Sequence, residues 1–421
     1  EDTGVPHNQQ EPNPVSQNFT TIPKTSQSNS QQGPKCEPLG TNTKLCLCDI
    51  KSSDILVNRY ELSQFAMELK PMSRVAKCMR HRIKGGAPVQ VLYSPEHKKA
   101  HYGNLQTCGS VWECPICAAK ITERRRKEIQ RAIDTHEANG GQVLMFTFTA
   151  SHAKKESIKI VLADMIRAHR SFWKNKFGRN LTENFSIIGH IRGLECTFGD
   201  NGAHVHFHVL VFFKGQLSTS DLTLIGRGSQ DEWRIICARN GRYASEKHGF
   251  RMTANQQDIG NYVAKHGKDE VTWTLAHETA KSVVKSAKKG SRTPNKLLFD
   301  YGRGDKEAGA IWVEYTEAFK GRSQLRWSKG LRDLLGIVEI EKTDEELATE
   351  YEADAYPIAL IDGGGWRTIC QQDLRAEVLN MASKGSQEAI KAFLEGVGVM
   401  GATYPANLQF RGITDEISEY G

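Results

Sequence analysis

The sequence predicts an α+β fold: a central, mostly antiparallel sheet carrying a histidine metal site, helices packed on it, and an N-terminal zinc-binding module. Three observations lead there. The run His204-Val205-His206-Phe207-His208-Val209 alternates with the period of a strand, so its three imidazoles share one face and its apolar residues the other. Gly199-Asp200-Asn201-Gly202 has turn chemistry and joins this run to a second strand, Ile187 to Phe198, making a hairpin. Upstream, Cys108, Cys114 and Cys117 have the spacing of metal ligands.

Size and charge bound the rest. At 421 residues the chain can bury a sizeable core in two or three domains. From Glu339 onward 16 acidic side chains face 6 basic ones, whereas the preceding part has 33 acidic and 50 basic. A basic body with an acidic tail points to a polyanionic partner for the body. No apolar run approaches the ~18 residues a membrane span needs, and no signal core precedes the body, so no membrane role is expected. Cysteines at metal-ligand spacing in so long a chain favour a reducing cytoplasm over disulfides.

The expected organisation has five parts. Residues 1–58 are a disordered polar leader rich in Gln, Asn, Ser, Thr and Pro, and the missing initiator Met suggests a trimmed or partial start. Cys36, Cys46 and Cys48 lie there and are given no role. Residues 59–135 form a zinc-binding and basic helical module that opens on a helix near Tyr60 to Leu69. Its Cys114-Pro-Ile-Cys117 knuckle grips a structural Zn²⁺ from one turn, with Cys108 and Cys78 completing the four and His81 as a substitute for Cys78. Reduced cysteines packed as small hydrophobes are the plain alternative. A helix from about Ala118 carries Arg124-Arg125-Arg126-Lys127, which either tracks phosphates or faces solvent.

Residues 140–280 hold the chemistry. Val143 to Thr149 is a strand by β-branched and aromatic content. Residues 153–177 have helical spacing, with Ile158, Val161, Leu162, Met165, Ile166, Phe172 and Trp173 in one apolar stripe. The hairpin brings Glu195 near His206 and His208, and two imidazoles with one carboxylate leave room on a metal for a phosphate oxygen. His204 is then an outer supporting group or a spare ligand. In the helical segment Gln257 to His266, Asp258, Tyr262 and Lys265 fall on one face. A tyrosine can attack phosphorus, a lysine can hold the phosphate, and a carboxylate can activate a second nucleophile. Residues 281–338 begin with a basic connector, Lys281 to Arg292. Residues 339–421 are an acidic extension of unassigned role: an acidic helix, a Gly363-Gly364-Gly365 break and a helix near Ser386 to Leu394.

In order, Phe146-Thr147-Phe148-Thr149, the histidine strand and Tyr262-Val263-Ala264-Lys265 resemble the rolling-circle plasmid replication initiators of the HUH (His-hydrophobic-His) endonuclease superfamily. The upstream cysteines fit the same family. So do Thr293-Pro294 through Leu298, Trp312-Val313-Glu314-Tyr315 and Lys320 to Ser328, so the likeness spans roughly Cys78 to Leu335. It implies that His206 and His208 are the metal pair, Tyr262 the nucleophile and Lys265 its phosphate-binding companion. Asp258 stands where some relatives place a glutamate that promotes the terminating cleavage. The implied activity is site-specific nicking of single-stranded or hairpin origin DNA with Mg²⁺ or Mn²⁺, a 5′-phosphotyrosyl link and a 3′-OH primer. Host helicase and polymerase are the implied partners, and self-association is open. The alternatives are a transposase or relaxase of the same superfamily, or a non-catalytic zinc-containing nucleic-acid-binding regulator.

Overall fold

Alternating side chains along paired strands decide what each face of the main sheet carries. The computed structural model describes residues 52–83, 85–154, 156–254, 259, 263, 292–337 and 341–405, with only the backbone for 52–58. The order begins α1 (Ser52–Leu69), β1 (Val89–Ser94), β2 (Lys99–Gly103), α2 (Pro115–Ala138), β3 (Gln142–Thr149), α3 (Ile158–Lys174), α4 (Lys176–Asn184), β4 (Ile187–Gly199), β5 (Gly202–Phe213), α5 (Thr219–Arg239) and β6 (Phe250–Thr253). It continues α6 (Pro294–Gly302), α7 (Lys306–Phe319), β7 (Leu325–Trp327), α8 (Leu331–Leu334), α9 (Asp344–Thr349), β8 (Tyr356–Ile361), α10 (Gly363–Gln371), α11 (Arg375–Ala382), α12 (Gln387–Gly396) and β9 (Ala402–Thr403).

The five-stranded sheet has the order β6-β3-β5-β4-β7 and every pairing is antiparallel. The predicted hairpin forms: β4 and β5 pair along their whole length, from Ile187 opposite Phe213 to Gly199 opposite Gly202. Gly202 closes the turn at φ +99°, a left-handed value that glycine adopts without a Cβ clash. On one face, Phe146, Phe148, Phe207 and Val209 are fully buried. The predicted stripe of α3 covers them, with Phe172 edge-on to Phe148 at 4.9 Å. Truncating such a ring to alanine costs about 3–5 kcal/mol.

The other face of β5 changes character along its length. Phe212 and Leu210 are buried in a second cluster with Ile129 and Ile133 of α2 and with Ile259 and Val263. Past Leu210 the same face carries His208, His206 and His204. The functional face therefore begins where the apolar cover ends.

A four-stranded antiparallel sheet, β2-β1-β8-β9, is the feature the sequence did not disclose. Val89 pairs with Ile361 and Tyr93 with Tyr356, so strands from opposite ends of the described chain lie side by side. The glycine run 363–365, expected as a break, instead opens α10. Asp362 caps it by accepting the Gly365 N–H at 2.8 Å, which offsets the poor helix propensity of glycine. The acidic segment answers the question left open for the basic run on α2. Arg124 pairs with Glu350 at 2.8 Å, Arg125 with Asp344, and Arg126 with Glu123 of its own helix at 2.9 Å. Their charge is spent within the fold, while Lys127 is exposed.

Histidines on the α3 side of the sheet make stability depend on pH. His190 stacks on Trp173 at 4.4 Å, and burial, helped by the Arg192 guanidinium, holds its imidazole down to about 4. His169 of α3, buried against Phe207 of the sheet, is pushed in the same direction. An unfolded histidine takes its proton near 6.5, so the stabilisation is complete above that pH and drains as pH falls from 6.5 toward 4. Each such histidine costs up to about 1.4 kcal/mol per pH unit. Thermal melts at pH 7.5 and pH 5 should show a lower Tm in acid, and His190→Phe should narrow the difference.

Candidate functional site

Register sets the site. In the β4–β5 ladder Glu195 lies directly opposite His206, and Gly193 opposite His208, so the carboxylate and both imidazoles project from the same face. Glu195 Oε2 stands 3.2 Å from His206 Nε2 and 3.8 Å from His208 Nε2. The ligand atoms of all three lie within 4.8 Å of one another, a group that could hold a metal ion. Ligands about 2.1 Å from one cation would stand about 3.0–3.4 Å apart. The His206 distance falls within that range and the His208 distance about 0.4 Å beyond it.

Each imidazole is turned toward Glu195 by a bond on its far nitrogen. His206 Nδ1 lies 3.2 Å from the His204 carbonyl, which only accepts, so Nδ1 carries the proton of the neutral ring. Its Nε2 lone pair then meets a carboxylate oxygen, two acceptors face to face, a pairing that requires a proton or a cation between them. His208 Nδ1 is held 3.0 Å from Thr147 Oγ1. Outer partners of this kind fix the ring orientation of metal-binding histidines. Thr147, on β3 opposite His208, was missed by sequence reasoning although its alternation with Phe146 and Phe148 puts it on this face. Arg251 of β6 pairs with Thr147 and shares the face as well.

His204 lies on the same face, its ring 5.4 Å from that of His206, but outside the three-residue group. Burial first, then the neighbouring His206 and His152, hold its pKa down to about 4. Asp258, Tyr262 and Lys265 lie outside the described residues, as do Cys36, Cys46 and Cys48 and the connector 281–291.

The second group joins Cys78, Cys108, Cys114 and Cys117, all buried and free of disulfides. It contains Cys78 and not His81, the substitute left open by spacing. Sulfur separations are 3.5 Å for Cys78–Cys117, 3.6 Å for Cys114–Cys78 and 3.7 Å for Cys108–Cys117. A tetrahedral ion about 2.3 Å from each sulfur would set them about 3.8 Å apart, close to what is seen. Local sequence explains the arrangement. Cys114 caps α2, Pro115 occupies the first helical position, and the Cys117 N–H donates to Cys114 Sγ at 3.4 Å. Hydrogen bonds from Cys108, Cys114 and Cys78 hold the Cys117 thiol well below its ordinary pKa, and the same crowd pushes Cys114 up. So many thiols at a helix N-terminus are matched to a cation.

Comparison with known proteins follows this geometry. A family model described as "Replication protein" matches residues 101–357. The chain belongs to that replication protein family. The match covers most of the stretch on which the resemblance was drawn and bears it out. Among its relatives is "Protein rep" of Streptomyces lividans, 24% identical over 344 residues, covering 66% of this chain and 75% of the relative. A "Neomycin resistance protein" of Streptomyces cyanogenus is 25% identical over 279 residues, covering 56% of this chain and 60% of the relative. No solved structure matches the chain. Among the described residues no helix is long and apolar enough to cross a membrane.

For this replication protein the cysteine group gives a direct test. Cys117→Ser should remove one bound metal equivalent per chain, read by atomic emission, and should lower Tm, with a stability loss on the order of several kcal/mol.

Proposed function

We propose that this chain is a rolling-circle plasmid replication initiator that nicks one strand of origin DNA by tyrosine transesterification. The observation that carries the reading is the Glu195, His206 and His208 group at the edge of the apolar cover. Ile259 and Val263, which flank Tyr262 in sequence, are buried in that same cover on the same sheet face. These two described residues, on either side of the proposed nucleophile in sequence, support a place for it near the histidine strand.

Glu195, His206 and His208 would hold a divalent ion, for which oxygen and imidazole donors suit Mg²⁺ or Mn²⁺. Such an ion supplies Lewis acidity to a phosphate oxygen. Thr147 and the His204 carbonyl keep the two rings aimed. The Tyr262 phenolic oxygen attacks phosphorus and gives up its proton as the bond to the 3′ oxygen breaks. A 5′-phosphotyrosyl link forms, and the leaving oxygen takes a proton to become a 3′-OH primer. Lys265 steadies the phosphate. Asp258 accepts a proton from the second nucleophile, a water, in the terminating cleavage, and a later strand transfer reseals the displaced circle. His204 is a supporting group beside the pair.

Cys78, Cys108, Cys114 and Cys117 would bind Zn²⁺ with no position left for substrate, a structural role. Buried free thiols suit a reducing cytoplasm. The acidic segment from Glu339 is proposed to serve the fold through its pairs with α2, and host helicase and polymerase to act on the nicked origin.

A nicking assay on single-stranded hairpin oligonucleotides with added Mg²⁺ or Mn²⁺ tests the reading. Wild type should cut and form a covalent protein–DNA species whose Tyr262 peptide carries a nucleotide by mass spectrometry, and Tyr262→Phe should do neither. Equal cutting by both would remove Tyr262 as nucleophile, and no cutting by either would favour a binding protein without catalysis. Glu195→Gln should slow cutting on the order of 10²–10³-fold and raise the metal concentration required.

A further inference from the structure

A cleft opens beyond His204, where the β4–β5 turn meets the end of β3 and the loop after α5. Tyr243, His152, His204, His248, Ser245 and Asn201 are among its walls. It adjoins the metal-binding face directly, because the His204 ring lies 5.4 Å from that of His206 and 5.6 Å from that of His152. Among the described residues no carboxylate lines it. Among the described residues its three histidines are not in either group that could hold a metal ion.

Its chemistry suits a nucleotide. Tyr243 is 66% exposed. Its backbone is nevertheless fixed: its carbonyl accepts the Ser151 N–H at 2.7 Å, and its own N–H donates to Ser151 Oγ at 3.3 Å. The preceding Arg242 is tied to Glu156 at 2.5 Å and to Asp164 at 2.7 Å. A ring held out to water on a rigid backbone is a stacking platform whose ordering cost has already been met by the fold. His152 gives its Nδ1–H to the Asn201 carbonyl at 2.9 Å, which leaves an Nε2 lone pair for a base N–H. Ser245 Oγ accepts the His248 N–H at 3.0 Å and keeps its hydroxyl proton for a phosphate oxygen.

We propose that this cleft seats the deoxynucleotide of single-stranded DNA next to the scissile phosphate, with its base stacked on Tyr243. The assignment rests on the nicking reading for the word scissile, and on the cleft alone for single-strand binding. Stacking tolerates any base, so it adds affinity and fixes the position of the strand without choosing the sequence.

Fluorescence anisotropy with fluorescein-labelled dT20, with no added Mg²⁺ or Mn²⁺ and no chelator, reads the cleft without catalysis and leaves the cysteine site intact. Tyr243→Ala should weaken binding about five- to a hundredfold, and Tyr243→Trp should restore it. Tm should be unchanged, since the side chain is exposed. Irradiation of dT20 carrying 5-iododeoxyuridine should cross-link it to the peptide that contains Tyr243. Wild-type affinity in Tyr243→Ala, or a cross-link confined to other peptides, overturns the cleft. If wild type binds dT20 through Tyr243 but never forms the Tyr262 adduct on any hairpin tested, the nicking reading fails and the single-strand site stands. If wild type cuts while Tyr243→Ala binds as wild type, the cleft alone fails. No binding of dT20 by wild type overturns it as well.

Discussion

The antiparallel register of β4 against β5 sets which side chains share the face that carries the Glu195, His206 and His208 group. Because side chains alternate along a strand, sliding β4 by one residue would turn Glu195 to the α3 side and put Leu194 or Cys196 opposite His206. The opposite face guards against that slip, since Leu194, Cys196 and Phe198 of β4 are buried there and would be turned to the histidine side. The carboxylate–imidazole group is thus positioned by hydrophobic burial on the far side of the sheet. Thr147 and the His204 carbonyl then refine the angle of the two rings.

That face was the most legible part of the chain. Period-two alternation, a turn of glycines with Asp and Asn, and a carboxylate at the matching position are all local signals, and the hairpin they describe is the one that forms. The cysteine group was legible for a similar reason, since three of its members lie within ten residues and form a knuckle at a helix start. Only the choice between Cys78 and His81 needed the fold, because the strand-free loop that holds them has no period to read.

What escaped the sequence depends on partners far away in it. Nothing near Val89 announces that its neighbour will be Ile361, and the strand from Tyr356 to Ile361 is a short apolar run, without alternation, inside an acidic segment. The arginines of α2 read as free charge until Asp344 and Glu350 appear beside them. The run at 363–365 read as a break because propensity was weighed without Asp362, whose cap sets the helix start. In each case a long-range or capping contact overrode a sound local inference.

The β1–β8 pairing also imposes an order on assembly. At about 5–20 residues per second on the ribosome, β8 emerges on the order of tens of seconds after β1, and until then β1 and β2 form a bare hairpin, marginal by itself. The four cysteines are all made early and close together, from Cys78 to Cys117. An ion captured by them would cross-link the young N-terminal region while its sheet is still half built. Trp366 arrives later still and donates its indole N–H to the Arg80 carbonyl at 2.7 Å, fastening the loop beside Cys78. The four thiols are therefore together in the chain before β8 is available to complete that sheet.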